Sequence, residues 1–156
     1  MFEKHMLATW GDMDFNGHMR NTAFLDKSAD IRLMFFAEHG LPIDEFVRLG
    51  IGPVVRKDDI DYFREIRLLE EMRVTLSAAG LSDDGARFLM RNEFWRADDS
   101  LAARVTSSGG WLDHRARKLV VPPEALQAAL REVPKTDDFQ VLPPLGSRTR
   151  EVASGL

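Results

Sequence analysis

A long helix is predicted by the sequence NTAFLDKSADIRLMFFAEH (residues 21–39), which Gly40 and Pro42 end. At 100° per residue, Phe24, Ile31 and Phe35 fall on one side of this helix. Further apolar residues widen that side into a broad arc: Leu25, Ala29, Leu33 and Phe36. Charged residues take the opposite side. An arc this broad predicts a helix that other structure almost encloses.

Strand patterns surround the predicted helix. A short strand is expected from residue 4 to about residue 10, and an irregular one over 51–62. Three clearer strands are predicted at 72–81, 86–97 and 101–113, with short turns between them that favour antiparallel pairing. Two short helices are predicted, at 42–50 and 124–133. We therefore expect an α+β fold, with an antiparallel sheet of about five strands wrapped around one long central helix.

Composition indicates an ordinary globular domain. The chain has 156 residues, of which 44% are hydrophobic and 29% charged, and its net charge of −4 does not predict binding to nucleic acid or to a membrane. It has no cysteine, which removes disulfides and thiolate nucleophiles. No apolar run predicts a membrane span or a signal peptide, so we expect a cytoplasmic protein. We expect one domain over residues 1–133 and a loosely structured C-terminal arm over 134–156.

The loop GDMDFNGHMRN (residues 11–21) carries oxygen-bearing side chains at alternate positions, namely Asp12, Asp14 and Asn16. With Gly17 they match the first half of an EF-hand calcium loop, but the twelfth position, which should be acidic, is Ala23. Asp14 and His18 also resemble the Asp–His site of (R)-specific enoyl-CoA hydratases, with one residue fewer before the histidine. Both interpretations stay open here, and both fit less well than a third.

The third interpretation is a family resemblance. Residues 12–21, with Phe24, Leu25 and Arg32, resemble the D-x-D-x-x-G-H-V-x-N-x-x-Y-L signature of the 4-hydroxybenzoyl-CoA thioesterase-like family. Segments 61–63, 70–74 and 113–123 are similar to other strands of that family. One departure lies in the helix, where Ala29 occupies a position at which the family usually has a glutamate. The Asp14, Asn16 and His18 spacing also resembles plant acyl-ACP thioesterases. The resemblance implies a hotdog fold and hydrolysis of an acyl-CoA thioester.

Thioester hydrolysis needs a base or nucleophile and a donor for the oxyanion. The sequence has no cysteine, G-x-S-x-G elbow or H-E-x-x-H zinc helix, which leaves a carboxylate. Because the resemblance implies the second aspartate, we predict Asp14 as general base or nucleophile, with His18 and Asn16 orienting the carboxylate or a water. A backbone N–H near Asn21, at the predicted helix start, would polarise the carbonyl. No metal and no cofactor is expected.

Basic residues and open sheet edges predict two kinds of partner, the CoA part of the substrate and a second copy of the chain. The basic residues that could meet CoA phosphates are Arg56, Lys57, Arg115, Arg117 and Lys118. Open sheet edges invite pairing between chains, and the resemblance implies a homodimer or homotetramer. Three alternative functions stay open: an acyl-ACP thioesterase, an enoyl-CoA hydratase-like hotdog enzyme, and a non-catalytic acyl-binding module on the same fold.

Overall fold

A computed structural model describes residues 1–146 and shows seven strands and three α-helices within them. The strands are β1 (Phe2–Leu7), β2 (Ile51–Tyr62), β3 (Glu71–Leu81), β4 (Arg87–Arg96), β5 (Leu101–Asp113), β6 (Lys118–Val120) and β7 (Lys135–Val141). The helices are α1 (Asn21–Glu38), α2 (Ile43–Leu49) and α3 (Glu124–Glu132), and a 3₁₀ turn spans Trp10–Asp12. No helix in residues 1–146 is long and apolar enough to cross a membrane.

All seven strands belong to one sheet. Five of them lie side by side in the order β1-β3-β4-β5-β2 and pair antiparallel. β6 pairs antiparallel with β5, and β7 pairs in parallel with β3. The predicted bounds of β2 and β5, residues 51–62 and 101–113, are confirmed, whereas β1 begins and ends earlier than expected.

The prediction of about five strands is incomplete, because the sheet has seven, whereas the long helix and the two short helices predicted at 42–50 and 124–133 are present as α1, α2 and α3. The missed strand β6 has only three residues. β7 lies in the segment predicted as a loose arm, and its sequence KTDDFQV has no apolar alternation. Pairing with β3 holds it: Ala78 N–H donates to Pro134 O at 2.7 Å, and Leu142 N–H donates to Leu81 O at 2.9 Å. Residues 147–156, the rest of that arm, lie outside the described part of the chain.

Helix α1 packs one side against the sheet. Phe24, Ile31 and Phe35 are 3%, 0% and 1% exposed, and the Phe24 ring meets the Phe94 ring of β4 edge to face at 5.1 Å. The other part of the predicted arc is open, since Leu33 is 47% exposed. The expectation of an almost enclosed helix is therefore wrong for the side of α1 that carries Ala29 and Leu33, which are both exposed. A helical-wheel projection shows which residues share a side of the helix, but it does not show how far the neighbouring strands extend.

An aromatic cluster closes the end of the core beneath α2. Trp111 of β5 is 1% exposed, and its ring contacts those of Phe36, Phe46 and Phe88 at centroid distances of 5.8, 6.1 and 5.6 Å. Its indole N–H donates to the Gly85 carbonyl at 3.0 Å, so burial leaves no unpaired donor. This cluster joins α1, α2 and the sheet, and it holds α2 over the start of β2.

Close approach of β2 and β5 requires a glycine at position 109. A Cβ on Gly109 would lie 2.0 Å from the Val54 carbonyl oxygen and 2.8 Å from the Phe88 ring, so Gly109→Ala must push the strands apart. We expect the free energy of unfolding to fall by about 1–3 kcal/mol, the usual cost of overpacking, in urea titrations. Gly11→Ala is the control, because its Cβ would contact nothing within 4 Å. Equal stability of the two variants would contradict the close approach.

Candidate active site

The loop before α1 is a tight turn that fixes one oxygen of Asp14. Asp14 N–H donates to the His18 carbonyl at 2.9 Å, and Gly17 takes the turn at φ +73°. The Oδ1 atom of Asp14 accepts the backbone N–H groups of Asn16 at 2.8 Å and His18 at 3.3 Å. Oδ2 has no hydrogen-bond partner within residues 1–146, and the residue is exposed. The carboxylate is therefore oriented by backbone and keeps one oxygen available.

The four predicted catalytic residues line one cavity of about 380 Å³. The cavity lies between the 14–18 loop, the start of α1 and the segment that follows β2. Its lining includes Asp14, Asn16, His18, Asn21, Tyr62 and Glu65. Asn16 and His18 contact Asp14 through their backbone N–H groups and not through the side chains predicted to orient the carboxylate.

The first turn of α1 opens on this cavity. Arg20 is the N-cap residue, with φ −66° and ψ 153°, and Asn21 is the first helical residue. The backbone N–H groups of a first turn have no acceptor within their own helix, and the helix dipole makes this end favourable for negative charge. Asn21 and Asp14 line the same cavity, so the start of α1 and the Asp14 carboxylate border one space.

The Arg20 side chain does not enter that shared space as a free charge. Its guanidinium donates to the Gly11 carbonyl and to the Thr22 hydroxyl, the latter at 2.9 Å, and lies 3.4 Å from the Asp26 carboxylate. The cation is thus committed to the outer side of the loop.

Among the lining residues that were not predicted as site members, Glu65 and Tyr62 make hydrogen-bonding contacts with predicted ones. Glu65 Oε2 lies 2.9 Å from His18 Nε2, so a carboxylate holds the imidazole. The Tyr62 hydroxyl donates to the Asn21 carbonyl at 3.3 Å, and burial raises the pKa of that phenol. Both contacts join the end of β2 to the α1 end of the loop. His18 also forms an isolated antiparallel bridge with Arg67, a pairing that no local pattern in the sequence reveals.

Asp12 supports the loop and points away from Asp14. Its carboxylate accepts the Thr9 backbone N–H at 2.9 Å and lies 3.1 Å from Lys27 Nζ, and these side chains of Asp12 and Lys27 are 15% and 12% exposed. Burial alone would raise the pKa of Asp12, but the Thr9 and Lys27 contacts outweigh burial and lower it. Within residues 1–146 no three His, Asp or Glu side chains could hold a metal ion together. Asp12 and Asp14 hold different partners: Thr9 and Lys27 for Asp12, and the Asn16 and His18 backbone for Asp14.

The basic residues predicted for CoA lie elsewhere in this protomer. Arg56 and Lys57 are exposed in β2, at a bulge in its pairing with β5. Arg115 and Arg117 are exposed in the turn between β5 and β6, and Lys118 begins β6. None of the five lines the Asp14 cavity, so a single protomer does not bring them to the predicted catalytic residues.

A family model now identifies the class of protein. The model of the thioesterase-like superfamily matches residues 8–130, and the chain belongs to that superfamily. This match confirms the resemblance predicted from the loop and helix. The comparison with curated proteins gave no match.

Solved structures of similar fold include hotdog thioesterases. The 1,4-dihydroxy-2-naphthoyl-CoA thioesterase of Synechocystis superposes with a TM-score of 0.75 at 19% identity, covering 84% of this chain and 96% of that one. A gentisyl-coenzyme A thioesterase gives 0.73 at 16% identity, covering 82% and 98%. A Staphylococcus aureus protein in complex with CoA gives 0.76 at 22% identity, covering 95% and 93%. At these identities the likeness shows the fold alone.

The first prediction from this geometry concerns Asp12. Asp12→Asn leaves Lys27 half-enclosed without its counter-charge, so we expect the free energy of unfolding to fall by about 1–3 kcal/mol, with a lower melting temperature. A lowered folded-state pKa stabilises the protein above the ordinary value of 3.8 and ceases to do so as pH falls through the folded value. The difference in melting temperature should therefore shrink in strong acid.

Asp26→Asn is the matched control, because Asp26 is 67% exposed and its contact with Arg20 is a surface ion pair. It should melt within a degree or so of the wild type by scanning calorimetry. A melting temperature for Asp12→Asn that equals that of the control at neutral pH would show that Asp12 does not support the loop.

Proposed function

We propose that this protein hydrolyses an acyl-CoA thioester to the free acid and CoA, with Asp14 as general base or nucleophile. The observation that carries the proposal is the state of the Asp14 carboxylate. Oδ1 is held by two backbone N–H groups, Oδ2 has no partner within residues 1–146, and Asp14 lines a cavity that Asn21 at the start of α1 also lines. A positioned base beside preorganised donors is the arrangement that acyl transfer needs.

As general base, Asp14 takes a proton from water while the water oxygen attacks the thioester carbonyl. The carbon–sulfur bond then breaks, and the CoA thiolate leaves and takes up a proton. As nucleophile, Asp14 attacks the carbonyl itself, CoA leaves, and water hydrolyses the resulting anhydride. In both routes negative charge develops on the carbonyl oxygen, and an N–H of the α1 first turn near Asn21 stabilises it.

Isotope labelling detects the nucleophilic route. A single turnover in ¹⁸O-water puts label into the Asp14 carboxylate only when water opens an anhydride at the aspartyl carbon, whereas label in the product acid alone arises from the general-base route or from an anhydride opened at the substrate's acyl carbon. Mass spectrometry of the peptide that contains Asp14 gives the readout.

Support for CoA as the thiol comes from the comparisons. Two relatives of similar fold are named as CoA thioesterases, and the S. aureus protein binds CoA. The exposed basic residues of β2 and of the β5–β6 turn are available for its phosphates, as predicted above. A thiol reagent that detects free CoA, applied to a panel of acyl-CoAs, tests the proposal directly. Tight binding without thiol release would favour a non-catalytic module, and a hydrated enoyl product would favour a hydratase.

Asp14→Asn tests the central residue. The amide keeps the size of the side chain and can still accept the Asn16 and His18 N–H groups, so the fold should persist, but it cannot take a proton or form an anhydride. We expect kcat to fall by about 10²–10⁴-fold with little change in KM, as befits a group that acts in the transition state. Steady-state kinetics with a thermal melt give the result, and wild-type turnover by the folded variant would remove Asp14 from the mechanism.

We also propose that two copies of the chain pair through β2. This strand ends the sheet order, pairs only with β5 within residues 1–146, and exposes Val55 (42%) and Tyr62 (51%). An unpaired edge twelve residues long invites a second strand. Antiparallel pairing would place the Tyr62 end of one β2, with its Asp14 cavity, beside the Pro53–Val55 end of the other.

Sedimentation tests the assembly. Two chains of 17.7 kDa give about 35 kDa for a dimer, and a tetramer built from dimers gives twice that value. A species of single-chain mass at micromolar concentration would contradict pairing through β2.

A further inference from the structure

A second cavity lies beneath the second half of α1 and shares no lining residue with the Asp14 cavity. Its volume is about 330 Å³, and α1, α2, β2 and the sheet enclose it. Most of its wall is apolar, with Phe36, Met90 and Trp111 among the lining residues. Two residues that line it, Ile43 and Val47, are 63% and 70% exposed. An apolar cavity that opens through exposed apolar side chains is typical of a small-molecule site.

One charged side chain, that of Arg32, lines this mostly apolar cavity. Arg32 of α1 lines the cavity and directs Nε and Nη2 to Asn92 Oδ1 at 3.0 and 2.7 Å. Nη2 also donates to the Ser107 hydroxyl at 2.7 Å. Nη1 forms no hydrogen bond within residues 1–146. The guanidinium is thus held at two of its nitrogens, and the third is left to bind something else.

The groups that hold Arg32 form a polar row across four strands. Asn92 of β4 and Ser107 of β5 are both 0% exposed, and Asn92 Nδ2 donates to the Thr75 carbonyl of β3 at 3.0 Å. The Ser107 hydroxyl donates to the carboxylate of Asp58 in β2. Each buried polar group in this row has a partner, which is costly to arrange in the middle of a core. The row fixes the direction of the guanidinium.

The charge of Arg32 is kept without a direct ion pair. Burial lowers the pKa of Arg32 to about 10, and the Asp58 carboxylate opposes that shift. The side chain is therefore a cation at neutral pH. Desolvated cations of this kind bind oxygen acceptors strongly, because a hydrogen bond to a charged group contributes about 1.5–3 kcal/mol.

We propose that this cavity is the subsite for the acyl group, and that Arg32 selects acyl groups whose apolar body carries an oxygen acceptor. The inference rests on the proposed thioester hydrolysis and names its substrate class. The acceptor is a carbonyl, hydroxyl or carboxylate oxygen, which Nη1 binds. At about 30 Å³ for each small group, a volume of 330 Å³ holds roughly ten non-hydrogen atoms. The acyl group is thus of medium length or a small ring system.

The β2 pairing proposed above gives the acyl group a path to this subsite. Pro53 and Val55 line the Arg32 cavity, and Tyr62 lines the Asp14 cavity, at opposite ends of the same strand. Antiparallel pairing of two β2 strands brings the Tyr62 end of one protomer to the Pro53 end of its partner. The Arg32 cavity of the partner then adjoins the Asp14 loop.

The test compares acyl-CoAs of equal chain length. Octanoyl-CoA is set against a series in which one chain methylene at a time is replaced by a carbonyl, and against the monothioester of octanedioic acid. We expect wild-type kcat/KM to be about 10–100-fold higher for the best oxygenated chain, which is the worth of one charged hydrogen bond. The oxo series and the dicarboxylic thioester separate a neutral acceptor from an anionic one. Equal kcat/KM for octanoyl-CoA and every oxygenated chain overturns the inference without any variant.

Variants assign the preference to Arg32. Arg32→Met should abolish the preference for oxygenated chains while octanoyl-CoA is still hydrolysed. If loss of the guanidinium destabilises the fold, Arg32→Lys serves as the second variant. It retains a donor for Asn92 and should keep part of the preference. Arg104→Met is the matched control, because Arg104 pairs with Glu93 at 3.0 Å on the other face of the sheet. A preference that survives in folded Arg32→Met, or that Arg104→Met removes equally, contradicts the assignment.

Binding of non-hydrolysable thioethers separates this inference from the proposed function. S-octyl-CoA has neither a thioester nor a carboxylate on its chain, so titration calorimetry with it, its oxo derivatives and its ω-carboxylate derivative requires no turnover. Tighter binding of an oxygenated thioether to the wild type, lost in Arg32→Met, supports the subsite even if no acyl-CoA releases thiol. Thiol release without any difference among acyl chains or thioethers leaves hydrolysis standing and overturns the subsite.

Discussion

Packing of α1 on the sheet is the interaction on which the rest of the molecule depends. Phe24, Ile31 and Phe35 bury one side of the helix, and the contact of Phe24 with Phe94 sets its position over β4. Because Phe24 lies near the start of α1, this contact also places the first turn of the helix beside the Asp14 loop. Farther along the helix, the exposed residue Leu33 and Arg32 line the second cavity. Both cavities are consequences of how one helix meets the sheet.

Two aspartates of the loop show how environment divides similar side chains. Asp12 is partly buried against Lys27 and Thr9, so its charge stabilises the fold. Asp14, two residues later, is exposed, is held by backbone at one oxygen, and is free at the other. Exclusion of bulk water around such a carboxylate, apart from a reacting water, strengthens its electrostatic interactions. The substrate and the neighbouring chain proposed at β2 are the groups available to provide that cover.

Arg32 poses the opposite electrostatic problem, because it is a cation within a core. Its partners Asn92 and Ser107 are fully buried, and the nearest compensating carboxylate, Asp58, is reached through Ser107. A purely structural arginine would be expected to pair directly with an acid, since an uncompensated buried charge is costly. The arrangement holds the guanidinium at Nε and Nη2 and leaves Nη1 without a partner within residues 1–146, in a residue that lines an apolar cavity. A held group with one unused donor suits selective binding.

The sequence by itself determined the family, the span of α1, the limits of β2 and β5, and the loop that forms the candidate site. Those features depend on local signals: apolar periodicity, helix-ending and turn residues, and a short motif. Tertiary structure alone decided that Glu65 holds His18, that Arg32 meets residues 60 and 75 positions away, and that polar β7 joins the sheet. Such contacts follow from the register between distant strands, which one sequence read along its length does not contain.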